Sequence, residues 1–123
     1  MPRKFLLPES VAREDGAGAE IALEAYRGKP LLLTLGIDLT VEQESLEISV
    51  WGSPDKRGWR LLQTFPQKFY CGTYSLPLDL TRYPDICYLR AQWRMNRWGV
   101  EKSPLFGFSL AAQQARAQTA GVS

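Results

Sequence analysis

Histidine is absent from the 123-residue chain. That removes His-based triads, imidazole metal sites and the commonest general base together. Cys71 therefore has no histidine to activate it as a nucleophile. Lys68, three residues earlier, could depress its thiol pKa, but a solvated loop lysine fits the position as well. Carboxylates are the remaining route to catalysis. Asp38, Glu42, Glu44 and Glu47 form the sole acidic cluster, with no basic residue inside the window. A glycosidase pair needs two carboxylates facing across a cleft. An oxygen-ligand cation site needs more converging ligands than this spacing guarantees. A solvated loop between two strands asks for neither. No phosphate-cradling glycine loop and no Cys-based metal spacing occur. The chain is expected not to be an enzyme and to use no cofactor or metal.

Binding chemistry is better represented. In Ile86-Cys87-Tyr88-Leu89-Arg90-Ala91-Gln92-Trp93 and the following Arg94, period-two reading puts Cys87, Leu89, Ala91 and Trp93 on one face. Tyr88, Arg90, Gln92 and Arg94 fall on the other, as a solvated face or a partner-binding row. Stacking plus basic charge could hold a single-stranded nucleic acid. The net charge of +2 argues against it. A second group lies in connections: Lys68, Phe69 and Tyr70 in one, Asn96, Arg97 and Trp98 in another.

The elements that must position these residues are strands. Leu46, Ile48 and Val50 alternate with Glu47, Ser49 and Trp51, and Leu31 to Asp38 is apolar at nearly every position, as in a central strand. Ser53-Pro54-Asp55-Lys56-Arg57-Gly58 carries hairpin-turn residues, and Trp59 to Phe65 returns as a strand. Tyr74, Leu76, Leu78 and Leu80 alternate, with Pro77 demanding an unpaired side. Phe106, Phe108 and Leu110 form the last strand. Phe5 to Leu7 reads as a short edge strand, 9–19 as loop, and 19–27 as strand in preference to two helical turns.

Length gives one domain. A hydrophobic fraction of 45% with 23% charged residues is ordinary for a soluble protein. No signal peptide or membrane span is visible, so a cytoplasmic product with free thiols is expected. About seven or eight short strands at roughly ten-residue spacing give an all-β fold: a single antiparallel β-sandwich, Ig-like or jelly-roll-like. The sandwich is expected over 1–110, with a flexible or partly helical tail over 111–123.

The segments Leu31 to Asp38, Ser45 to Gly52, SPDKRGW at 53–59, GTYSLPLDL at 72–80, YLRAQW at 88–93 and PLFGFSL at 104–110 resemble small β-sandwich proteins of phage and prophage virions and related uncharacterised bacterial proteins. The likeness covers about two-thirds of the chain, through structural motifs. It departs at Lys56-Arg57-Gly58, where that pattern has an early Gly, and in a longer loop before Pro104. A weaker similarity is to galactose-binding-like (discoidin) sandwiches. The resemblance implies a structural or assembly subunit, a homo-oligomer or part of a larger assembly, cytoplasmic or in a virion. The alternative is a carbohydrate-binding module using loop aromatics.

Strand direction gathers the loop residues. Connections of an antiparallel sandwich alternate between its two ends, which puts 39–45, 66–72 and 95–103 at one end and 27–30, 52–58 and 81–85 at the other. Phe69, Tyr70 and Trp98 are then either contact residues or plugs folded over the open end of the core.

Overall fold

The computed structural model describes residues 4–41, 43–98 and 104–115. Nine strands form two antiparallel sheets: β1 Lys4–Ala12, β2 Gly16–Ala17, β3 Ile21–Ala22, β4 Pro30–Thr40, β5 Glu44–Ser53, β6 Arg60–Lys68, β7 Gly72–Asp79, β8 Tyr88–Arg97 and β9 Phe106–Gln114. One sheet runs β1-β9-β4-β7 and the other β2-β8-β5-β6, with β3 continuing the β2 edge along β8. Apart from the β2–β3 step and the β5–β6 hairpin, every connection passes from one sheet to the other. This is the jelly-roll order within the expected sandwich class. Among the described residues, no helix is long and apolar enough to cross a membrane.

The inward rows meet between the sheets. Leu31, Leu33, Leu35 and Ile37 of β4, with Phe106, Phe108 and Leu110 of β9 beside them, face Leu46, Ile48 and Val50 of β5 and Leu89 and Ala91 of β8, all buried. β4 is paired on both sides, with β7 and β9, as expected of a central strand; its inward row is buried, and Leu32, Thr34 and Gly36 on the other face are half-buried. Pro77 lies on β7, an edge strand, where a missing N–H is tolerated. The Gln63 carboxamide donates to the Pro77 carbonyl at 2.8 Å, tying the edge strands of the two sheets together.

Several expectations are corrected. Cys87 precedes β8 and is only half-buried, because Ile86 takes the core position beside Gly52. Trp93 is also half-buried: it meets Phe108 edge-on at 5.6 Å, and its indole N–H donates to the Glu14 carbonyl at 2.8 Å. Of 19–27, only Ile21 and Ala22 are strand; a single 3-10 turn at Glu24–Tyr26 follows, with Leu23 and Tyr26 buried. β1 reaches Ala12, well past Leu7, and register shifts on either side of Leu7 accommodate Pro8 on this edge. β9 continues to Gln114, paired with Pro30–Leu32 through Ala115 and its neighbours, so the sandwich extends past 110. Residues 116–123 of the expected tail lie outside the described residues.

Candidate functional site

β4–β5, β6–β7 and the start of the β8–β9 connection do meet at one end. The Trp98 N–H donates to the Gln43 carbonyl at 2.9 Å, joining two of the connections. Gln43 adopts a left-handed φ of 60°, which turns that carbonyl toward Trp98. The third connection is only Phe69, Tyr70 and Cys71 long, because β6 runs on to Lys68. The Tyr74 hydroxyl donates to the Tyr70 carbonyl at 2.8 Å, and the Lys68 ammonium sits 4.5 Å from the Tyr74 ring centre. The turn is thus held by β7 from beneath.

On this frame the aromatic side chains form one cluster. Phe69 meets Trp98 edge-on at 6.1 Å and Tyr70 at 6.4 Å. Together with Thr40, Val41, Gln43 and Glu44 they line a concavity of ≈ 460 Å³. Their exposures are 42% for Phe69, 75% for Tyr70 and 43% for Trp98, so they do not plug the core. What closes the end is Glu44, only 1% exposed. One of its carboxylate oxygens accepts the Leu105 N–H at 2.7 Å. The other accepts the Thr40 hydroxyl and the Val41 N–H, both at 2.8 Å. These donors replace water around a buried charge.

Among the described residues, the acidic run seen in the sequence does not converge. Glu44 is a structural knot, Glu47 lies on the outer face of the second sheet opposite Arg94, and Asp38 lies at the end of β4 beside Glu9. Glu42 falls outside the described residues. Nothing in the residue types told Glu44 from its neighbours; only the strand pairing that buries it does.

The remaining candidates scatter. Asn96 and Arg97 lie on β8 rather than in the connection, because pairing with β5 carries the strand to Arg97: Asn96 is exposed opposite Ser45, and Arg97 is half-buried opposite Glu44. Tyr88, Arg90 and Arg94 share the outer face of β8 but not one environment. The Lys56 ammonium covers Tyr88, 4.9 Å from its ring centre. Arg90 is half-buried across from Trp51, and Arg94 is exposed beside Glu47. At the opposite end of the sandwich, one cation is engaged internally. Arg60 pairs with Asp85 at 3.1 Å and lies 5.0 Å from the Tyr83 ring centre.

The hairpin in SPDKRGW is set by two side chains. Ser53 Oγ accepts the N–H groups of Asp55 and Lys56, and Asp55 accepts those of Arg57 and Gly58. These bonds hold the Asp55 carboxyl below the usual carboxylate range. Lys56, where the resembled pattern carries Gly, has a φ of 70°, so the backbone demand for glycine persists here.

No protein-family model and no curated protein sequence matches the chain. Among solved structures, the crystal structure of SPBc2 prophage-derived protein YomS is similar. It aligns with a TM-score of 0.54 over 91% of this chain and 94% of that one, at 9% identity. The two share a fold, a β-sandwich also found in a protein of prophage origin.

Proposed function

We propose that the chain is a non-catalytic assembly subunit, virion-like or self-assembling, which packs against a second copy of itself through the Phe69–Tyr70–Trp98 end. The observation that carries this reading is that three neighbouring aromatics stay exposed on a frame fixed by backbone hydrogen bonds. Aromatic clusters with rigid supports supply contact area at little entropic cost, and such residues dominate interface energetics. A net charge of +2 opposes self-contact only weakly. The prophage origin of YomS and the use of jelly rolls in capsids add fold-level analogy in the same direction.

A saccharide is the weaker occupant for this end. It would find ring faces to stack on but few open polar groups, because Thr40 and Glu44 are consumed in the internal knot. A protein surface that covers the rings asks for fewer. Light scattering tests the reading: a defined multiple of the 13.9 kDa chain is expected. A monomer throughout the micromolar range would refute it.

A further inference from the structure

The outer face of the second sheet holds a different surface. A register shift between Val50 and Trp51 in the β5–β6 ladder sets Leu61 opposite Trp51, and the extra residue, Leu62, packs against the core. Leu61 is thereby turned outward and is 50% exposed. Gly16 and Ala17 of β2, paired beyond β8, stand on the other side. Between them lies a trough of ≈ 560 Å³, within the size range of small-ligand sites.

Its lining is mixed in a particular way. The Trp51 indole N–H donates to Ser49 Oγ at 2.9 Å, which fixes the ring and leaves the serine hydroxyl proton available to donate. Gln92 is exposed, and no hydrogen bond within the described residues occupies its carboxamide. Glu47 and Arg94 face each other in register without closing to an ion pair among the described residues. A fixed ring, an aliphatic side chain, a free carboxamide, a free carboxylate and a free guanidinium share one concavity.

These features restrict the occupant. β5 and β8 form the floor, and each is paired on both sides. The floor therefore offers no backbone edge to an extended peptide, and recognition on it must come from side chains. Nucleic acid needs an excess of cations, whereas Arg94 is accompanied by the carboxylates of Glu47 and Asp15. Purely apolar ligands would leave the polar groups unpaired. Sugar rings satisfy both requirements: C–H faces lie on an indole, and hydroxyls both donate to carboxylates and accept from amides and guanidinium groups. The geometry points to this trough as a binding site for a neutral pyranose oligosaccharide, centred on Trp51 and independent of the aromatic end.

The test is an NMR titration of the full chain with cellohexaose, maltohexaose, xylohexaose and chitohexaose, each to millimolar concentration. At least one is expected to shift the Trp51 indole and Gln92 carboxamide resonances saturably. Trp51→Ala should weaken that binding about tenfold or more, the loss of a stacking contact. Gln92→Ala, at an exposed side chain the fold does not use, should weaken it too and carries the test if Trp51→Ala fails to fold. The proposal is overturned if none of the hexasaccharides shifts these resonances. Shifts mapping to Trp98 instead, or a folded Gln92→Ala variant that binds as wild type does, would overturn it equally.

Discussion

Replacing Glu44 by Gln changes one atom in the knot that seals the aromatic end. The carboxylate accepts from Leu105 N at 2.7 Å through one oxygen and from Thr40 Oγ1 and Val41 N at 2.8 Å through the other. An amide keeps a single acceptor oxygen. If that oxygen serves Thr40 and Val41, the new NH2 group faces the Leu105 N–H, donor against donor. One charge-assisted bond is lost, at about 1.5–3 kcal/mol, and the other two weaken to neutral strength. Removing a buried charge returns part of this through relief of desolvation. With three short bonds already solvating the charge, the loss should win, and the variant should be destabilised by about 2 kcal/mol. Urea unfolding followed by far-UV circular dichroism measures it, with the midpoint expected to fall at unchanged m-value. Trp98, whose backbone N–H donates to the Gln43 carbonyl next to Glu44, should give a broader emission spectrum. A loss below about 0.5 kcal/mol would refute the assignment of Glu44 as the closure.

Trp93→Ala should cost about 3 kcal/mol, the low end for a large aromatic, since the ring is half-buried against Phe108; thermal melts check it. Gly16→Ala should destabilise by about 1–3 kcal/mol, because a Cβ there would come within 2.5 Å of the Trp93 ring; the same melts apply. Asp55, Asp79 and Glu24 all have carboxyls held below their ordinary values: Asp55 and Asp79 chiefly by hydrogen bonds at their turns, Glu24 by Lys4. Their contribution is complete above the unfolded values and is lost as pH falls through the lower folded ones, below about pH 4. Acid titration of stability should show that decline, and Asp55→Asn should make it shallower. Glu9 has the opposite sign, its carboxyl raised by a hydrogen bond to Asp38 and by that residue's charge. Repulsion there opposes folding at neutral pH and is relieved on acidification, so Asp38→Asn should raise the neutral-pH melting temperature slightly.

What could be read from the chain followed the period-two rows. Leu46, Ile48, Val50, Leu89, Ala91, Phe106 and Phe108 are buried as their alternation required. β2 escaped because Gly16 and Ala17 carry no strand signal; they are extended only through pairing with β8. The 3-10 turn after Ala22 escaped for a related reason. Leu23 and Tyr26 are buried three residues apart, a spacing too short to stand out from alternation. The convergence of the Phe69 and Trp98 connections followed from strand direction alone. Whether the rings turn inward did not, since it depends on Glu44 already occupying the end. The Trp51 trough was hidden by one extra residue: without the register shift at Leu62, Leu61 would not stand opposite Trp51.

The central claim is that the exposed aromatics bind a second copy and contribute little to the fold. Sedimentation velocity of wild type and the Tyr70→Ala, Trp98→Ala double variant across a concentration series, paired with their melting curves, tests it most directly. The wild type should associate, and the double variant should associate about thirtyfold more weakly, as loss of a hot spot worth about 2 kcal/mol implies. Its melting curve at low concentration should match that of wild type. A wild type that sediments as a monomer at every concentration, or a double variant that is unfolded, would contradict the claim.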